Sequence, residues 1–159
     1  MSVQRRRVLA AGGLLLCFIL LFCVLLVPHG RKLVLYHQET GQIYRQWEID
    51  ESLKFSISYV HSVSKSPVRD LFRTVGDKIL AAETRYYSFG AGTLDELGEG
   101  AVLSYGSDGS MIVSGLDLSY ERLNLIVGTV YDHILSIGEE QISLTKLCGK
   151  NAPVSLEIR

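Results

Sequence analysis

Polar side chains crowd the stretch from His61 to Asp70, among them His61, Ser62, Ser64, Lys65, Ser66 and Asp70. A second distinctive run, E-T-R-Y-Y-S-F-G-A-G, extends from Glu83 to Gly92. A serine nucleophile would need a histidine base and an orienting carboxylate. His61 and Ser62 are neighbours and would point to opposite faces of an extended segment, so they pair poorly with each other. Ser64 or Ser66 could face His61 after a turn, with Asp70 or Glu83 orienting the ring. No G-x-S-x-G elbow is present to expose a strained serine, and serines in a turn serve backbone groups equally well. A metal site is the second option. The four histidines are His29, His37, His61 and His133, and no H-x-x-x-H or H-E-x-x-H spacing occurs. His61, Asp70, Glu83 and His133 could converge on a divalent ion, a donor set that suits one, but no spacing demands it. His29 and His37 read as surface residues. The Gly90-Ala-Gly92-Thr93 turn is neither a P-loop nor a dinucleotide fingerprint, and its glycines read as a sharp departure from a strand. A binding surface remains. Tyr59, His61, Arg85, Tyr86, Tyr87 and Phe89 combine rings with polar tips, as recognition sites do. Arg85 either receives a ligand carboxylate or pairs internally with Asp70 or Glu83.

The elements around these residues read as strands. Leu53 to Tyr59 alternates strictly, with Leu53, Phe55, Ile57 and Tyr59 on one side, the signature of a half-buried strand. Pro67 interrupts pairing and pushes Ser66 towards an extended conformation. Val68 to Val75 and Ile79 to Phe89 follow as strands across a Gly76-Asp-Lys turn. Upstream, Lys32 to His37 and Ile43 to Asp50 flank Q-E-T-G-Q, a hairpin turn with Gly41 at positive φ. Trp47 reads as a core anchor, with an interfacial position near the membrane as the alternative. Downstream, Ala101 to Tyr105 and Met111 to Leu116 flank G-S-D-G-S. Leu123 to Val127, Val130 to Ile137, Gln141 to Leu147 and a short tail strand, Val154 to Ile158, complete the pattern. Gly90 to Gly100 is a loop. Nothing after Pro28 keeps an apolar 3.6-residue period over three turns. The fold class expected is all-β, a compact sandwich or barrel of about nine or ten short strands.

Composition bounds the setting. The 159-residue chain is 47% hydrophobic, and much of that excess lies in the first 27 residues. Val8 to Val27 is uncharged and proline-free, about 30 Å long as a helix, which matches a bilayer core. Arg5, Arg6 and Arg7 precede it, which keeps that flank in the cytoplasm and puts the remainder outside. A cleaved signal peptide is the competing reading, but the apolar run is long for an h-region and no A-x-A-like site follows. Two parts result: residues 1–28, a basic flank and single-pass transmembrane helix in the cytoplasmic (inner) membrane, and residues 29–159, an extracytoplasmic β domain. The bilayer, through residues 8–27, is the first partner. Setting the three N-terminal arginines apart from the 16 basic residues leaves 13 against 17 acidic ones. That balance offers no basic stripe for nucleic acid. Cys17 and Cys23 lie in the apolar run. Cys148 alone lies in the remainder, as a small apolar residue near a strand end, so no disulfide framework is available there.

The run Y-x-H-S-V-x-x-S-P-V-x-D at Tyr59 to Asp70, followed by E-T-R-Y-Y-S-F-G-A-G, resembles a bacterial and archaeal family of unassigned function, domain-of-unknown-function family eighteen-fifty. His61, Ser62, Pro67, Val68, Glu83, Ser88, Gly90 and Gly92 match its pattern. The chain departs from it at Asp70, where the family has Glu, and at Thr93-Leu94, where it has Leu-Pro. Members are small anchored or secreted proteins. Their genes often lie beside the fused membrane subunit of TAXI-type TRAP transporters, which import organic acids with a separate solute-binding protein. The resemblance implies a non-catalytic accessory protein that contacts the transporter's membrane subunit or its solute-binding protein. The alternative is a stand-alone envelope domain that binds a small carboxylate or a divalent metal. The expected binding or partner-contact residues are His61, Ser62, Asp70, Glu83, Arg85, Ser88, Gly90 and Gly92. No catalytic residue, resident metal or cofactor is expected.

Overall fold

A computed structural model describes residues 30–50, 52–88 and 100–159. The expected transmembrane segment, 8–27, and the glycine loop up to residue 99 lie outside these residues. Among the described residues no helix is long and apolar enough to cross a membrane.

Within the described residues eleven strands and one short helix follow in order: β1 (Arg31–His37), β2 (Ile43–Ile49), β3 (Lys54–Val60), β4 (Pro67–Val75), β5 (Lys78–Tyr86), β6 (Val102–Tyr105), β7 (Met111–Tyr120), β8 (Arg122–Ile126), β9 (Ile134–Ile137), β10 (Glu140–Ser143), α1 (Leu144–Cys148) and β11 (Pro153–Ile158). They form two antiparallel sheets. The smaller has the order β2-β1-β11-β8 and the larger β10-β9-β3-β4-β5-β7-β6. Apolar residues from both sheets meet in one core: Leu33 and Leu35 of β1 and Leu156 of β11 from the small sheet, and Phe55, Ile57, Phe72, Ile79 and Leu135 from the large one. The fold is therefore a β-sandwich, and of the two architectures expected the barrel is excluded. Phe55 and Phe72 are cross-strand partners whose rings stack at 5.2 Å. Such a pair adds to what burial alone supplies.

Several expectations are corrected. Pro67 does not break pairing. It is the first residue of β4 and sits opposite Val60, a position where its missing N–H costs no ladder bond. The strand expected over Gln141 to Leu147 stops at Ser143, whose hydroxyl accepts from Lys146 N and caps α1. Leu144 and Leu147 then follow a helical spacing. Cys148 accordingly ends a helix rather than a strand; it is half-buried and free, and burial pushes its thiol up to about 11. β5 ends at Tyr86, and only Ile134–Ile137 of the stretch from Val130 forms a strand. β7 runs four residues beyond Leu116, to Tyr120. It passes through Gly115, whose φ is +70°.

Candidate functional site

The crowded stretch from His61 to Ser66 is a hairpin turn joining β3 to β4. His61 N donates to Ser66 O (2.9 Å) and Lys65 N to His61 O (3.0 Å). The imidazole Nδ1 accepts from Val63 N (3.4 Å) and Ser64 N (3.3 Å). Lys65 takes a positive φ of 55°. A second turn in the same molecule repeats this arrangement. His37 N donates to Gln42 O and Gly41 N to His37 O, both at 2.9 Å. His37 Nδ1 accepts from Glu39 N (3.2 Å) and Thr40 N (3.4 Å), and Gly41 takes φ +70°. In both loops a histidine at the strand end offers its near ring nitrogen to the N–H groups two and three residues on, as Asn and Asp do in Asx turns. His37 lies outside the distinctive motif. The role of the His61 Nδ1 atom is thus to close a loop. Ser64 and Ser66 bond to each other through their hydroxyls at 2.8 Å. Among the described residues no serine hydroxyl is hydrogen-bonded to a histidine ring.

Strand register divides the other candidates between two faces. Ile57, Asp70 and Thr84 are directly opposite one another on β3, β4 and β5, so Asp70 shares the core-facing side with buried Ile57. Thr84 Oγ1 donates to Asp70 Oδ1 at 2.8 Å. Burial raises the pKa of Asp70, and the Thr84 hydrogen bond opposes that rise. Glu83 and Arg85 lie on the outer face. Arg85 is opposite Arg69, and Glu83 is opposite Leu71. Arg85 pairs with Glu83 at 2.9 Å, so its internal partner is Glu83 and not Asp70.

Between the sheets, a cavity of about 440 Å³ is bordered by Tyr59, His61, Asp70, Leu123, Asn124 and His133. His133 stacks on Tyr59 with 5.0 Å between centroids, and its Nδ1 accepts from Gly128 N at 3.0 Å. Burial lowers the pKa of His133 against the pull of Asp132. Burial, aided by the Asp70 charge, pushes the Tyr59 hydroxyl up to about 12. His61, Asp70 and His133 therefore border one cavity, while the Glu83 carboxylate is held by Arg85 on the other face. Among the described residues no three His, Cys, Asp or Glu side chains come close enough to hold a metal ion, so the envisaged four-residue convergence does not form.

On the outer face, an open groove of about 640 Å³ lies over β3, β4 and β5, lined by Ser58, Arg69, Arg85, Tyr87, Tyr131 and Ile134 among others. Of its lining residues, Tyr59, Arg85 and Tyr87 belong to the binding surface read from the sequence. Arg69 and Arg73 stand four apart on β4, an even spacing that puts them on one face, but only strand pairing brings Arg69 to Arg85. Tyr86 is 2% exposed and belongs to a core cluster with Val68, Met111 and Val113, so it is not part of any recognition surface. Tyr87 is exposed, and its hydroxyl donates to Asp108 Oδ2 at 2.6 Å. Ser62 is exposed in the turn, and Ser88 lies in a bend just past β5. Phe89, Gly90 and Gly92 lie outside the described residues.

No curated protein and no solved structure matches the chain. A family model does match, over residues 55–144, from β3 to the first residue of α1. That span holds both distinctive motifs and more than half of the chain, and on it the chain belongs to the family described as Domain of unknown function (DUF1850).

Proposed function

We propose that this chain is a non-catalytic, membrane-anchored accessory protein of a TAXI-type TRAP transporter, with its β domain on the extracytoplasmic side. The observation that carries the non-catalytic half is the repeated turn. The family motif's histidine performs the same loop-closing task as His37, and a group so engaged needs no reaction to explain it. The anchor rests on the apolar run 8–27 and the arginines before it. The partner rests on family membership and the transporter association that the resemblance implies. The test is co-purification of the full-length chain from mildly solubilised membranes. Recovery of the transporter's membrane subunit or its solute-binding protein is expected. Their absence, under conditions in which the transporter keeps its other contacts, overturns the proposal.

A second reading is a stand-alone envelope domain that binds a small carboxylate. One observation favours it: the outer groove, with Arg69 and Arg85 on its floor. Titration of the full-length protein in detergent with small dicarboxylates tests it, and saturable binding is the expected result.

A further inference from the structure

Arg69 and Arg85 are directly opposite each other on β4 and β5. Like charges at such positions sit about 5 Å apart at Cβ and destabilise the sheet. The compensation is incomplete. Glu83 Oε1 accepts from Arg85 Nε (3.3 Å) and Nη2 (2.9 Å). Arg69 Nε donates to the neutral Ser56 hydroxyl at 3.2 Å. Among the described residues Arg69 has no carboxylate within ion-pair distance. The positive charge is extended by Lys65, whose Nζ lies 5.5 Å from the centre of the Tyr131 ring at the groove's edge. Two carboxylates, Asp108 and Asp132, also border the groove, and both already accept hydrogen bonds within the chain. Asp108 accepts from Ser110 N (3.1 Å), from Ser110 Oγ (2.6 Å) and from Tyr87. Asp132 accepts from Thr145 N (2.9 Å) and from the Ser143 hydroxyl.

We infer that this groove is an oxyanion site in which a carboxylate or phosphate group bridges Arg69 and Arg85, with Tyr87 and Tyr131 flanking it. Arg guanidinium forks match such groups bidentately, and a bridging anion removes the repulsion between the two paired arginines. The groove's volume suits a small molecule. The inference rests on the second reading above and names its site.

The experiment uses the full-length protein in detergent. It is titrated by calorimetry with succinate and, separately, with inorganic phosphate, with chloride at matched ionic strength as the control. Thermal unfolding is followed alongside. Wild type should bind at least one oxyanion saturably, and which one binds identifies the source. Arg69→Gln should weaken that binding at least tenfold and abolish the ligand-induced rise in unfolding temperature. The unliganded variant should unfold at the same or a higher temperature than wild type, because the like-charge pair is gone. Binding unchanged in Arg69→Gln overturns the site and leaves the second reading standing. No oxyanion binding by wild type overturns both. An unliganded variant that unfolds earlier than wild type overturns the inference as well, since Arg69 would then be a structural partner of Ser56.

Discussion

Replacing His61 separates a loop-closing histidine from a recognising one. His61→Ala removes the acceptor for Val63 N and Ser64 N. The backbone bonds from His61 N to Ser66 O and from Lys65 N to His61 O remain, so the hairpin still forms. The two lost bonds are long, at 3.4 and 3.3 Å. The Val63 end is exposed and His61 itself half-buried, so water recovers part of the loss. A net loss of about 1 kcal/mol is expected, at the modest end of what two hydrogen bonds contribute. For a chain of this size that corresponds to a fall of about 3 °C in Tm. His61→Asn is the informative partner variant. Its side-chain oxygen can occupy the place of Nδ1 and accept from the same N–H groups, while the far ring nitrogen is lost. Thermal unfolding of the full-length protein and co-purification of the transporter are measured together. His61→Asn should keep wild-type Tm within about 1 °C, following that scaling, and should retain the transporter. A His61→Asn protein that unfolds normally yet loses its partner refutes the architectural reading, because only the ring's far side would have changed.

Two further outcomes follow from particular residues. The folded-state pKa of Asp70 is raised, first by burial, so its contribution to stability is fully present below the unfolded carboxylate pKa of about 4 and is lost as pH rises through its folded value. Asp70→Asn should remove that loss, so its advantage in urea midpoint over wild type should grow from pH 4 upward; a constant difference across pH 4 to 8 refutes the assignment. Gly115 has φ +70°, and a Cβ there would lie 2.6 Å from Gly100 O, whereas Gly41, also at φ +70°, has nothing within 4 Å of its Cβ position. Gly41→Ala should cost about 1 kcal/mol for the left-handed backbone alone, and Gly115→Ala about 2 kcal/mol or more once the backbone contact is added. Equal denaturant midpoints for the two variants would show that the close approach is relieved freely.

Much of the fold was legible along the chain. Strict alternation from Leu53 to Tyr59 and the glycines at 41, 76 and 109 mark strands and turns that the structure contains. The readings that failed needed information beyond period and punctuation. Gln141 to Leu147 alternates at its start, and only the capping role of Ser143 separates β10 from α1. The late strand β11 reads as a tail, yet it lies inside the small sheet between β1 and β8. Its place is set by long-range pairing, which local pattern does not encode.

The candidate site divides the same way. Residue types and spacing determined an all-β domain, a polar turn around His61, and a second polar run beginning at Glu83. Which face those residues occupy was decided by one irregularity. Unbroken alternation along β5 would put Ile79, Ala81, Glu83 and Arg85 on the same side. The register shifts between Ala81 and Glu83, so Ala81 stays opposite Phe72 while Thr84 comes opposite Asp70. A single extra residue in a strand reverses the facing of everything beyond it. That bulge parts Glu83 and Arg85 from Asp70 and sets Arg85 against Arg69, because facing in a sheet belongs to the pairing of strands and not to one strand's sequence.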